Sequence, residues 1–309
     1  MIEYKYINDE RDFIKVAFQK FNQSYSYLSL EEAVEYFSIL GGLSESLELD
    51  YFDDVFTMVK TNFVDDFTTS ESLVSPSYLL ETPYREVLTA VARGDGKFYS
   101  VLRKAKLSES SGQKLIDELV SLHILKVEHS REAPLRVHPK HKLPREQRAY
   151  RIQNKLRFVQ PFMRFWFGFV SHYRQDLLLG KGDKFLENFT QHYERLRSLV
   201  YEQLCNDLLL TYYEDKVEIL SSGSYWNIYS EFDILVVTKN KKIILGECKY
   251  KERIVCKNEL TKLKQKAAES DMKVDVYVLF SKSGFSKELL SMKSESLLLF
   301  DLGDLKVLL

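Results

Sequence analysis

The sequence predicts a multidomain α+β protein, an expectation resting on three observations. Charge is segregated along the chain, apolar spacing is helical through the first half, and alternating apolar runs between turn signals arrive only in the last third. With 309 residues and 45% hydrophobic residues, the chain is long enough for two or three cores. The expected regions are 1–81, a helical N-terminal domain; 82–179, three short helices and a β-ribbon with an aromatic connector; and 180–309, an α/β domain with a mixed central sheet.

In the first region, LSLEEAVEYFSIL places Leu30, Ala33, Val34, Phe37 and Leu40 on one helical stripe. Ser29 with Glu32 reads as a capping box, and Gly41-Gly42 as the stop. The second region opens at Thr82-Pro83. YREVLTAVARG, FYSVLRKAKL and SESSGQKLIDELVSLHILK read as helices, the last with Ile116, Leu119, Val120 and Leu122 at helical spacing. Strands are expected at 125–128 and 149–152, joined by the basic, proline-broken HPKHKLPREQR. Three helices and a ribbon predict a winged helix-turn-helix, which can set one helix in a major groove and a basic wing on phosphates. The run FVQPFMRFWFGFV at 158–170 shows no separation of faces, so packing between domains is expected rather than base stacking.

The net charge of −1 conceals the segregation. Residues 1–81 hold 16 acidic and 5 basic residues, a net −11, whereas 97–157 hold 15 basic and 6 acidic, a net +9. A basic middle invites a polyanion or balances the acidic segment. No apolar stretch is long enough for a membrane span, and MIEYKYINDERDF lacks the pattern of a signal peptide, so a cytoplasmic protein is expected. Cys205, Cys248 and Cys256 have neither disulfide nor zinc-ligand spacing and are expected to be reduced. His138 and His141 read as surface or phosphate-contacting residues rather than zinc ligands. GKGDKF near Gly180 lacks the spacing and the Ser/Thr of a phosphate loop, which argues against nucleotide hydrolysis.

The third region carries the candidate chemistry. A long helix, DKFLENFTQHYERLRSLVYEQLCNDLLL, leads to a hairpin of SEFDILVV, the turn TKNKK, and IILGECKY. With the turn centred on Asn240, Asp233 falls opposite Glu247 and Glu231 opposite Lys249, all on one face. Ionised groups gather in this way when they pair or bind metal. Asp233 and Glu247, with the Cys248 carbonyl, offer hard oxygens for Mg²⁺ or Mn²⁺. Lys249 is placed to position or deprotonate an attacking water and to stabilise developing charge. Glu202 is the candidate for a further carboxylate from the preceding helix, and Glu231 reads as a ligand or a partner for Lys249. KNELTKLKQKAAES is expected to be an amphipathic helix from which Lys262 or Gln265 reaches a phosphate. A strand KVDVYVLF, a helix SKELLSMK and a last strand in LLLFDLGDLKVLL complete the domain. Further candidate DNA contacts are Lys104, Lys114, Lys140, Lys142, Arg145 and Arg148. Tyr225 and Trp226 are read as core residues, with stacking on nucleic acid as the alternative.

EFD at 231–233 and ECK at 247–249 resemble the PD-(D/E)XK nuclease superfamily, with a Glu-bearing helix before the hairpin and a helix after it. EEAVEYFSILGG, RAYRIQNKLRFVQPFMRFWFGFV, GSYW at 223–226 and the hairpin also resemble the C-terminal part of archaeal-type ATPases that end in a domain of unknown function. That resemblance implies a lid-like role for the N-terminal helices, a winged helix, and a restriction-endonuclease-like C-terminal domain. In that family a nucleotide-binding domain precedes these segments; with no phosphate loop here, ATP-driven activity is not carried over. The resulting expectation is a Mg²⁺- or Mn²⁺-dependent nuclease acting on double-stranded or branched DNA, with a homodimer as one assembly. The alternatives are a DNA-binding regulator on an inactive nuclease fold, and a protein-interaction module.

Overall fold

The computed structural model describes residues 13–43, 47–49, 54–136, 138, 140 and 142–309, so the expectation for His141 lies outside the described residues. The protein is mixed α+β, and its backbone gathers into two compact units built from non-consecutive segments. One takes Val16–Glu128 and Asn154–Val200; the other takes His129–Gln153 and Tyr201–Leu309 together with the described residues 13–15. Three consecutive regions were the expectation; instead the N-terminal helices share a unit with the three helices and the ribbon. The stretch between the ribbon strands goes with the α/β unit.

The helical unit contains α1 (Phe13–Ser24, from Val16 on), α2 (Leu30–Leu40), α3 (Val55–Lys60), α4 (Phe67–Ser72), α5 (Tyr84–Ala92), α6 (Phe98–Lys104) and α7 (Glu109–Ser121). β1 (Leu125–Glu128), β2 (Lys155–Phe158), α8 (Pro161–Phe165), α9 (Arg174–Leu178) and the part of α10 (Asp183–Tyr213) up to Val200 follow. The capping box of α2 forms as expected: the Ser29 N–H donates to the Glu32 carboxylate at 2.8 Å, and the Glu32 N–H to the Ser29 hydroxyl at 3.3 Å. The chain leaves α2 through Gly42 at φ +91°, a conformation in which glycine avoids the Cβ clash.

The ribbon's second strand lies at Lys155–Phe158 rather than at 149–152. The reason is burial. Leu125 faces Phe158 and Val127 faces Leu156, so KLRF places Leu156 and Phe158 inward, whereas Ala149 and Arg151 are exposed. The aromatic run is core: Phe158, Phe162, Phe165, Trp166 and Phe167 are all buried. Phe165 meets Phe63 edge-on at 4.9 Å and Trp166 stacks on Phe67 at 5.9 Å, which fuses the first two expected regions into one core.

The α/β unit contains β3 (Ile219–Ser221), β4 (Tyr225–Trp226), β5 (Glu231–Phe232), β6 (Ile234–Thr238), β7 (Ile243–Lys249), α11 (Lys257–Glu269), β8 (Val276–Ser281), α12 (Lys287–Ser291) and β9 (Leu297–Asp301). Its mixed sheet runs β3-β6-β7-β8-β9, antiparallel as far as β7 and parallel from β7 to β9. β4 and β5 form a separate antiparallel ribbon. All five residues of β6 are buried, as in a strand covered on both faces. Leu235, Val237, Leu245, Leu279 and Leu299 pack with Leu260, Leu263 and Ala267 of α11. On the other face, residues of α10 from Tyr201 onward meet the sheet, with Tyr212 edge-on to Phe300 at 5.3 Å and Tyr201 against Tyr250 at 5.0 Å.

His129–Gln153 joins this unit through buried polar groups. The Arg131 guanidinium donates to the Ser221 hydroxyl (3.2 Å) and to the carbonyls of Leu235 (2.9 Å), Gly223 (2.9 Å) and Ser224 (2.8 Å). Glu132 accepts from the Ile228 N–H and the Tyr150 hydroxyl, and the Trp226 indole donates to the Gln153 carbonyl. Among the described residues, no helix is long and apolar enough to cross a membrane.

Candidate functional site

The site grows from the β6–β7 hairpin. Ile234 pairs with Gly246 and Val237 with Ile243, which centres the turn on Asn240 as the sequence predicts. The backbone ladder stops at Ile234, and Asp233 continues it with its side chain: Asp233 Oδ2 accepts the Cys248 N–H at 2.8 Å. Asp233, Glu247 and Lys249 therefore emerge from the face that α11 covers, just beyond the apolar packing of Leu235 and Leu245. Lys249 Nζ lies 2.5 Å from Glu247 Oε1 and 3.9 Å from Glu259 Oε2 on the first turn of α11.

This is a site of unbalanced charge. Burial first, and then the Glu247 charge, push Asp233 up from 3.8 to about 6, against the Cys248 N–H, Lys249 and Lys266, which pull it down. Burial would lower the Lys249 ammonium, but Glu247, with Asp233 and Glu259 behind it, holds it above its ordinary value. Glu259 is raised by burial but more strongly lowered by its bond to Lys262 and by Lys249 and Arg253.

In front of the carboxylates lies a cleft of about 340 Å³ lined by Glu247, Lys249, Lys251, Arg253, Glu259, Lys262, Leu263 and Lys266. Five cations face two anions there, which suits a polyanion. Lys251, Arg253, Glu259 and Lys266 were not singled out from the sequence. The available signal was KER one residue after ECK, across Tyr250, together with an acid in the first turn of a lysine-rich helix.

The remaining candidates fall in different places. Glu202, on α10, is half-buried and acts on Cys248 from the other face of the sheet: both Cys205 and Cys248 are raised chiefly by burial, with Glu202 and Asp233 adding to it. Glu231 is not on the hairpin. It is exposed on β5 opposite Trp226, because the chain pairs with β4 before Asp233 and with β7 only after it. Lys262 lines the cleft, whereas Gln265 is exposed and bonded along the helix to Glu269. Lys140, Lys142, Arg145 and Arg148 are exposed on the segment that belongs to the α/β unit, and Lys104 and Lys114 are exposed in the helical unit. His138 is exposed. Tyr225 and Trp226 are buried core residues. Cys205 and Cys248 are buried free thiols, hydrogen-bonded to each other, and Cys256 is an exposed one. Among the described residues, no three His, Cys, Asp or Glu side chains are gathered into a ready-made metal cage.

Residues 166–269, a third of the chain, match the model of a domain family described as archaeal and bacterial proteins of unknown function, DUF234. The match spans Glu202, the whole hairpin and α11. No curated protein and no solved structure gives a significant match.

Proposed function

We propose that the protein is a metal-dependent nuclease of the PD-(D/E)XK kind that hydrolyses phosphodiester bonds in DNA. The observation that carries this reading is that Asp233 sits beside Glu247 and Lys249, which line a cation-rich cleft. A structural ion pair needs one carboxylate for one ammonium. Here a second carboxylate sits beside the first although burial and like charge both oppose its ionisation, and a hard dication relieves that conflict.

The donor set fits Mg²⁺ or Mn²⁺. Asp233 and Glu247 offer two carboxylates, and the Cys248 carbonyl leaves the strand on the same edge as the N–H bonded to Asp233. Two carboxylates and a carbonyl suffice for Mg²⁺, which keeps several waters, so three clustered side chains are not required. Glu202 approaches Cys248 from the other face of the sheet and is left out of this donor set. When bound, the ion supplies Lewis acidity at the scissile phosphate. The chain's own groups do the rest. Lys249, held as an ammonium, orients the attacking water and faces the charge that develops on the phosphoryl oxygens. Glu259 holds Lys249 and Lys262 in place. Lys251, Arg253, Lys262 and Lys266 hold the flanking phosphates. We read α5–α7 with the β1–β2 ribbon as a winged helix-turn-helix that assists DNA binding, although Lys114 shares the outer face of α7 with Asp117 and Glu118. The larger share of base-independent contact is thereby assigned to the α/β unit.

Calorimetric titration with Mn²⁺ and Mg²⁺ tests the reading. The wild type is expected to bind, and Asp233→Ala to lose binding while keeping its far-ultraviolet dichroism. Absence of binding by the wild type, or undiminished binding by the variant, removes the proposed centre.

A further inference from the structure

The α/β unit carries a second set of exposed cations, made of residues other than those lining the cleft and of a different chemical character. Between its anchors at Arg131–Glu132 and Tyr150–Gln153, the segment presents Arg136, His138, Lys140, Lys142, Arg145 and Arg148, all exposed. These anchors are buried hydrogen bonds, so the segment is fastened at both ends. Residues 145–147 form a turn of 3₁₀-helix, and the Gln147 amide donates to the Tyr229 hydroxyl at 2.7 Å. Tyr229 is 65% exposed at the tip of the β4–β5 ribbon. That tip is itself ordered, because Asn227 Oδ1 accepts the N–H groups of both Tyr229 (2.8 Å) and Ser230 (2.7 Å).

A large aromatic ring is normally buried, and here its neighbours Tyr225, Trp226 and Phe232 are. Tyr229 is instead held out by its turn and by its hydroxyl, bonded to Gln147, which the exposed Arg145 and Arg148 flank in sequence. An ordered aromatic face on a turn that carries cations on either side is the chemistry that holds an unpaired base and its backbone. Tyr229 and Asp233 are four positions apart, so the two Cα atoms lie within about 14 Å, a few nucleotides of strand.

We infer that Tyr229, with Arg145 and Arg148, forms a subsite for single-stranded nucleic acid flanking the candidate cleavage site, the ring stacking on one base and the arginines holding adjacent phosphates. The strand path toward Asp233 rests on the nuclease reading; the binding itself does not. The inference narrows the substrate to one with an unpaired stretch, such as a branched, flapped or frayed end.

The test is binding of the full chain, in chelator and without metal, to a short single-stranded oligonucleotide carrying 2-aminopurine, in a DNA arm and an RNA arm, with the matching duplex as a third. Tyr229→Ala is expected to weaken single-strand binding about tenfold, the scale of one lost stack, and to abolish the stacking quench, while Tyr229→Phe, which keeps the ring and the Asn227 turn but loses the bond to Gln147, retains most of both. Arg145→Ala with Arg148→Ala should lower the salt slope by about 0.7 per arginine. A Tyr229-dependent loss in either single-strand arm supports the inference. Unchanged binding and quench by Tyr229→Ala in both arms, or an equal loss on the duplex, overturns it. The two readings fail separately: Tyr229-dependent binding with no cleavage under Mn²⁺ removes only the nuclease, and cleavage with single-strand binding indifferent to Tyr229→Ala removes only the subsite.

Discussion

Asp233 holds the sharpest electrostatic conflict in the site, and it has a measurable consequence for stability. Its carboxyl rises from 3.8 to about 6 on folding, chiefly through burial and then through Glu247. A raised carboxyl favours the protonated form in the folded state. The stabilising contribution is therefore complete below the unfolded value and is lost as pH rises through about 6; at neutral pH the ionised form costs roughly 3 kcal/mol without metal. Asp233→Asn keeps an oxygen for the Cys248 N–H and cannot ionise. In chelator it should melt higher than the wild type at about pH 7.5 and lose that advantage below about pH 4. An equal difference at both pH values would contradict this cause. The common placement of Asp233, Glu247 and Lys249 was legible because turn position and strand parity fix it for all three together. Glu231 obeys the same parity, but a side chain replaces the ladder at Asp233 and sends Glu231 to another ribbon, which alternation alone does not register.

At the scale of elements, the geometry of the site depends on how closely β6 and β7 approach. A Cβ on Gly246 would lie 3.1 Å from the Ile234 Cβ and 3.4 Å from the Phe280 ring, both fully buried. Gly246→Ala should cost about 1–3 kcal/mol by overpacking and displace Glu247, the next residue, so that metal affinity falls along with the melting temperature. Wild-type metal affinity in that variant would separate the site from the strand packing. The capping box of α2, the span of α7 and strand β1 were legible for local reasons: a cap, a stop and a period. β2 was not. Both 149–152 and 155–158 offer apolar residues, and the choice is made by Leu125 and Val127 across the ribbon, whose partners local periodicity does not name.

At the scale of the whole molecule, the sequence suggested three beads in series, whereas the chain builds two units from alternating segments. What hid this is chemical. Arg131 reads as one more cation of a basic stretch, yet it is buried and serves four acceptors around Ser221, Gly223, Ser224 and Leu235. Arg131→Met leaves those acceptors without their donor and should cost about 3 kcal/mol or more. It should also open the basic segment to trypsin at Arg136, Lys142 and Arg145 before the remainder of the chain is cut. Protection equal to the wild type would mean that the segment is held by other contacts. The reassignment moves the exposed cations of 136–148 from a wing of the helical unit to the unit that bears Asp233, Glu247 and Lys249. Both basic surfaces then lie on the unit that bears Asp233, Glu247 and Lys249.

The central claim is that these three residues cut a phosphodiester backbone. The most direct measurement is incubation of the purified full chain with linear, circular, single-stranded and branched DNA in Mg²⁺ or Mn²⁺, alongside Lys249→Ala. The account predicts metal-dependent cleavage of at least one form by the wild type, stopped by chelator and reduced by at least about a hundredfold in Lys249→Ala, the scale of one lost electrostatic or acid–base group. Equal cleavage by both proteins, or none by the wild type on any form with either metal, would contradict it.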